Sequence, residues 1–141
     1  MSKERTLVLI KPDGVKRELI GEIMLRFEKR SFKIIALKMI QIDEKLAEKH
    51  YMEHIKKPFF PELINFITSG PTVAAVIESE NVISITRKMM GATSFTDAMP
   101  GTIRGDFAYS TTENIIHGSD SPESAQREIA LFFSENELVG G

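Results

Sequence analysis

The chain has 141 residues, 42% of them hydrophobic and 27% charged, with a formal net charge of −2. This fits one globular domain, 1–141, with no bulk attraction for nucleic acid or an anionic membrane, so any polyanion must be met by local cations. The absence of cysteine excludes a disulfide framework and a thiolate zinc site. A polar start, Ser2 to Arg5, followed by the short apolar run Leu7 to Ile10, argues against an export signal or a membrane span, and a cytoplasmic location is the expectation.

Thr6 to Ile10 is a continuous apolar run closed by Lys11-Pro12-Asp13-Gly14, which predicts a buried strand followed by a turn. Ile20, Ile23, Met24 and Phe27 then recur at helical spacing. Phe32 to Ile42, rich in isoleucine and marked by Lys33 and Lys38, suits a strand with one edge or face toward solvent. Asp43 is placed to cap a helix running to about His54, and Pro61 sits in the first turn of another that stops at Ser69-Gly70-Pro71. Thr72 to Ile77 is a third strand, and a helix from about Asn81 puts Val82, Ile85 and Met89 on one stripe before Gly91 closes it.

From Gly91 to Glu113 the pattern lapses into a stretch expected to be structureless, and its mixture of Pro100, Gly101, Gly105, Arg104, Asp106 and Phe107 favours a functional loop over disorder. A short strand, Asn114 to His117, follows. Ser121-Pro122-Glu123 then starts a last helix whose stripe is Ala125, Ile129, Phe132 and Phe133, with Glu128 on its flank in reach of the turn that holds His117. The element order suggests an α+β sandwich in which helices cover a mostly antiparallel sheet.

His117 stands where an apolar strand gives way to a Gly turn. A neutral imidazole is a nitrogen nucleophile near neutral pH without help from another base. The alternative for such a residue is a partly buried histidine bonded to its turn. His50 and His54, four apart on a predicted helix, lack the acid of a metalloprotease pattern and are expected at the surface, and no protein metal site is predicted. There is no P-loop, no Rossmann glycine fingerprint and no protein-kinase motif set, and Ser119 has no nucleophile elbow. What remains beside His117 is a scattering of cations, Lys11, Arg87 and Arg104, each alone compatible with a solvated charge. A triphosphate, however, needs several fixed positive groups. Thr93 and Asn114 offer neutral donors, and Phe59, between Pro58 and Pro61, offers either a flat face for a base or a core ring.

Four segments together, Asn114-Ile115-Ile116-His117-Gly118-Ser119-Asp120, Pro100-Gly101-Thr102-Ile103-Arg104-Gly105-Asp106-Phe107, Lys11-Pro12-Asp13-Gly14 and Pro58-Phe59-Phe60, resemble the nucleoside diphosphate kinases almost end to end. The resemblance implies a ferredoxin-like fold with a four-stranded sheet. It also implies transfer of a γ-phosphate from a nucleoside triphosphate to a nucleoside diphosphate, through phosphorylated His117 and with Mg²⁺ carried on the nucleotide phosphates. It further implies phosphate and ribose contacts from Lys11, Arg87, Thr93, Arg104 and Asn114, base stacking on Phe59, and orientation of the histidine by Glu128 with Ser119. Ser94-Phe95 and Thr111 depart from the family's usual residues.

A nucleotide-binding regulatory module that keeps the fold without the chemistry is the alternative function, and the presence of both His117 and Glu128 argues for the enzyme. Nucleic acid is disfavoured as a primary partner by the net charge of −2. In a ferredoxin-like order the second strand lies at a sheet edge, so a homo-oligomer built from dimers is expected through Phe32 to Ile42.

Overall fold

The two most apolar runs of the chain become the two central strands of the sheet. β1 (Glu4–Ile10) and β3 (Pro71–Ser79) are buried along almost their whole length, while β2 (Lys33–Gln41) and β4 (Ile116–Gly118) lie outside them in the order β2-β3-β1-β4. Every neighbouring pair is antiparallel, with Leu9 opposite His117 and Val8 opposite Gly118. The structure is a computed structural model that describes residues 3–140; Met1, Ser2 and Gly141, the ends of the expected domain, lie outside the described residues.

Helices pack on both faces of the sheet. On one face α2 (Ile20–Lys29) and α5 (Val82–Met90) cover Val8, Ile10, Val73, Ala75 and Ile77. On the other, α3 (Glu44–His50), α4 (Phe60–Ile67) and α7 (Pro122–Phe132) cover Leu7, Leu9, Ala74 and Val76. Alternate residues of the central strands feed the two cores, which is why their sequences are continuous apolar runs and show no alternation. A fully buried Leu, Ile or Phe contributes about 1.5–3 kcal/mol relative to exposure, so β1 and β3 anchor the fold. The short β4 is held in place by what it packs against. This is the α+β, ferredoxin-like sandwich with a four-stranded sheet that the sequence implied.

Four local expectations are corrected. Lys11-Pro12-Asp13-Gly14 is not a simple turn: it opens a one-turn helix, α1 (Pro12–Lys16), in which Val15 N donates to Lys11 O at 3.0 Å. Proline at the first helical position and an acid in the first turn suit a helix as well as a turn, so the local signal did not separate the two. The stretch Gly91 to Glu113 is not structureless either, for it contains α6 (Ile103–Phe107), capped by the Thr102 hydroxyl that accepts from Gly105 N at 3.0 Å. A helix so short cannot show an apolar period. The buried stripe of α5 is Val82, Ile83, Thr86 and Met90, with Ile85 and Met89 only partly covered; a threonine in the stripe shifted its apparent centre. The last strand begins at Ile116, because Ile115 takes a positive φ of 77° and breaks the extended path from Asn114.

Candidate functional site

His117 is carried by β4 and held there by close packing. A Cβ on Gly118 would lie 2.6 Å from the Met90 sulfur, so any larger residue here would require the Met90 side chain on α5 to shift. The His117 side chain remains partly open, at 23% exposure, and its Nε2 lies 2.9 Å from Glu128 Oε1. The Ser119 hydroxyl donates to the same oxygen at 2.7 Å and is itself anchored by Leu7 N. Glu128 is buried on α7 instead of half-solvated on its flank. Burial alone would push its carboxyl up, but the interaction with His117 and the hydrogen bond from Ser119 outweigh it and hold the group below the ordinary glutamate value. Glu128 is therefore an ionised, acceptor-only partner at neutral pH, and it fixes the proton of His117 on Nε2. The lone pair is then on Nδ1, the nitrogen a nucleophile would use.

His50 corrects the expectation of a surface residue. It is buried, with both ring nitrogens lacking a hydrogen-bond partner, and its ring meets that of His117 edge-on at 4.6 Å. Burial, then the neighbouring His117, pushes its pKa well below the ordinary value, so His50 is a neutral packing surface for the imidazole. His54 is half-buried. Ala47, His50, Tyr51 and His54 occupy one face of the segment at helical spacing, and that spacing was the available signal. It was masked because two of the four are histidines.

All the cation candidates meet in one cleft of about 460 Å³, together with His117, Asn114 and Thr93. Lys11 is buried, and its Nζ donates to Asn114 Oδ1 at 2.8 Å, while Asn114 Nδ2 donates to the Thr93 carbonyl at 3.3 Å. Arg87, from α5, donates to the Gly118 carbonyl at 3.2 Å. Phe59 stands at the N-terminus of α4 with its ring 44% exposed, and Tyr51, His54 and Thr111 complete the apolar side of the cleft. Tyr51 and His54 were not among the candidates. Their rings link His50 to Phe59 along one wall.

The electrostatics of this cleft are one-sided. Burial first, and Arg104 second, push the Lys11 ammonium down to about 8 against the opposing pull of Asp13. Burial and then Arg87 likewise lower Arg104, to about 10. Both remain mainly charged at neutral pH. No carboxylate is among the described residues that line the cleft, and Asp13, which opposes the lowering of Lys11, lies outside that lining. Such an arrangement favours a polyanion whose charge offsets their repulsion.

Arg104 does more than line the cleft. From α6 its guanidinium donates to the carbonyls of Asn114 at 3.3 Å, Gly91 at 3.1 Å and Ile116 at 2.6 Å. It thereby ties the end of α5 to the segment that leads into His117. The sequence candidates thus assemble as two groups. Lys11, Phe59, Arg87, Thr93, Arg104 and Asn114 share the cleft with His117, while Ser119 and Glu128 stand behind the imidazole.

The family profile described as nucleoside diphosphate kinase matches residues 4–138. A nucleoside diphosphate kinase of Thermus thermophilus is 62% identical over 136 residues, 96% of this chain and 99% of that one. Among solved structures, a halophilic nucleoside diphosphate kinase from Halobacterium salinarum in complex with CDP superposes with a TM-score of 0.97 at 50% identity, covering 99% of this chain and 93% of that chain. The Aquifex aeolicus nucleoside diphosphate kinase does so with a TM-score of 0.95 at 43% identity, covering 98% and 100%. A profile that spans nearly every residue, and relatives this similar over their whole length, leave one conclusion: the chain belongs to the nucleoside diphosphate kinase family and is a nucleotide phosphotransferase.

Proposed function

We propose that the single domain 1–141 transfers the γ-phosphate of a nucleoside triphosphate to a nucleoside diphosphate by a ping-pong route through phosphorylated His117. The observation that carries this is an imidazole whose Nε2 is taken by an ionised glutamate and which faces a cleft lined by three cations and, among the described residues, by no acid. Nδ1 attacks the γ-phosphorus, the Nδ1–P bond forms as the bond to the β-phosphate oxygen breaks, and the diphosphate leaves. In the second half the terminal oxygen of an incoming diphosphate attacks the same phosphorus and the imidazole leaves with its electron pair. Glu128 offsets the positive charge the ring acquires while phosphorylated, and Ser119 holds that carboxylate in place. Lys11, Arg87 and Arg104 neutralise the leaving oxygens, with Thr93 and Asn114 on phosphate and ribose hydroxyls and Phe59 stacked on the base.

The donor set fits a Mg²⁺ that arrives on the nucleotide, since the cleft offers it no carboxylate among the described residues. When bound, the ion would draw charge from the β- and γ-oxygens. No protein metal site is proposed. Although ligand atoms of His50, His117 and Glu128 lie within 4.8 Å of one another, Glu128 Oε1 is already engaged by His117 and Ser119, and Arg127 lies 3.6 Å from Oε2. Nothing favours a binding module without catalysis. The compartment proposed is the cytoplasm; among the described residues no helix is long and apolar enough to cross a membrane.

The mechanism predicts parallel double-reciprocal lines when both nucleotides are varied, and a phosphoenzyme that can be isolated after the first half-reaction. Intersecting lines with no isolable phosphoenzyme would rule it out. Glu128→Gln should slow the chemical step by roughly 10- to 100-fold with little change in nucleotide KM, because a neutral partner gives less support to a charged imidazole. The carboxyl is held below its unfolded value, so the stability it contributes is present above that value and is lost as pH falls through the lower folded one. The variant should therefore show a shallower loss of melting temperature with acidification, measured by calorimetry from neutrality down to the acid limb.

A dimer built on β2 is the proposed unit of assembly. That strand is a sheet edge, and Leu37 and Met39 are exposed on it at 55% and 57%. Its first half is partly closed, because Val139 N donates to Ile35 O at 2.8 Å beside a register shift between Ile34 and Ala36. The open stretch is therefore Leu37 to Gln41. Light scattering at micromolar concentration should give at least a dimer mass, and the double substitution Leu37→Lys with Met39→Lys should lower it. A monomer mass for the unaltered protein would end the proposal.

A further inference from the structure

We propose that Asp13 is a positioning residue whose carboxylate holds a strained turn at Ile115 and through it sets His117 and Asn114 against the cleft. This rests on the reading of His117 as the phosphorylated residue. Ile115 is β-branched and fully buried, yet its φ is 77°, and Ile116 N donates to Asn114 O across it at 2.8 Å. That is a γ-turn of the rare positive-φ kind, which a branched L-residue adopts only where its surroundings over-determine it.

The surroundings do so completely. Asp13 Oδ2 accepts from Ile115 N at 3.0 Å, and Ile115 O accepts from Lys11 N at 2.8 Å. Arg104 takes the carbonyls on either side, those of Asn114 and Ile116. Of these four contacts only the one from Asp13 uses a buried acid, and its other oxygen, Oδ1, has no hydrogen-bond partner. Burial raises the Asp13 pKa against the pull of Ile115 N and Lys11. An acid kept in so unfavourable a place needs a function beyond filling space. Its one interaction within hydrogen-bond geometry among the described residues is with the turn, and the turn has the functional groups on both ends: Asn114, bonded to Lys11 Nζ, immediately before it, and His117 two residues after Ile115. Asp13 lies two residues after Lys11 on the same segment. One carboxylate therefore locks the cation and the nucleophile to a common frame.

The test uses the full chain with Asp13→Asn, Asp13→Glu and Asp13→Ala. The readouts are the rate of phosphoenzyme formation at saturating ATP·Mg²⁺ labelled on the γ-phosphate, the ADP Kd by titration, and the melting midpoint. An asparagine oxygen can still accept from Ile115 N, so Asp13→Asn should stay within about fivefold of the unaltered rate; glutamate keeps the charge but displaces the acceptor, so it and alanine should fall roughly 100-fold while Kd moves less than about threefold. A folded Asp13→Ala with unaltered rate, a loss confined to Kd, or Asp13→Glu faster than Asp13→Asn would each overturn the proposal. The last of these would assign Asp13 to charge balance with Lys11. If the alanine variant does not fold, the order of Asn and Glu still decides. Label found elsewhere than on His117 in the unaltered protein would instead refute the mechanism on which the proposal rests.

Discussion

His117→Ala is expected to bind nucleotides with near-normal affinity and to lose phosphoryl transfer by roughly 10⁴-fold or more, since the variant lacks the imidazole that carries the phosphoryl between half-reactions. The cleft is otherwise intact in such a variant. Lys11, Arg87 and Arg104 are held by Asn114, Gly118 and the carbonyls of the His117 segment, none of which uses the imidazole. Incubating the unaltered protein with γ-labelled ATP and Mg²⁺ should give a label that is lost in acid and survives alkali, as a phosphoramidate does and a phosphoester does not. The alanine variant should take up no label while still retaining ADP in a titration. Substantial transfer by the variant, or an acid-stable label on the unaltered protein, would mean that another residue is the nucleophile.

Arg104→Ala should be the most damaging substitution for stability among the cleft residues. Its guanidinium is buried and satisfies three carbonyls at once. Charge-assisted hydrogen bonds contribute about 1.5–3 kcal/mol each, and water can replace only part of them at a buried site, so a net loss of about 3–5 kcal/mol is expected. For a chain of this length that lowers Tm by roughly 10–15 °C. Arg104→Lys keeps the charge but lacks the planar fork that reaches three acceptors, so it should fall between the two in Tm and remain poor in transfer. A calorimetric shift below about 4 °C for the alanine variant would show that the three carbonyls are satisfied by other means.

The elements that could be located from the chain alone are those whose signal is local. β1 and β3 are apolar runs because both of their faces are covered, α2 shows a clear helical period, and Ser121-Pro122 and Asp43 supply caps whose side chains do accept from Ser124 N and Leu46 N. The cleft cations Lys11, Arg87 and Arg104 were candidates because phosphate chemistry requires such groups, and Lys11, Arg104, Asn114 and His117 also stand in segments of strong family resemblance. Elements of a single turn escaped: α1 and α6 contain too few residues to establish a period, and their stability comes from contacts such as Arg26 with Asp106 at 2.8 Å across the fold.

His50, Asp13 and Glu128 show where local information ends. Each is polar, and on sequence grounds a polar residue on a helix belongs at or near the surface. Each is buried because a partner distant in the chain waits for it: His117 beside His50, Ile115 N above Asp13, and His117 with Ser119 on Glu128. Residue types and their spacing were enough to specify the kind of chemistry and the layered α+β architecture, since apolar period and donor chemistry are properties of short segments. The proton position on His117, the strain at Ile115 and the clustering of three cations around one cleft depend on distances between segments about a hundred residues apart in sequence. Those distances exist only once the sheet has paired and the helices have packed, because burial and electrostatic coupling are properties of the assembled environment and not of any residue within it.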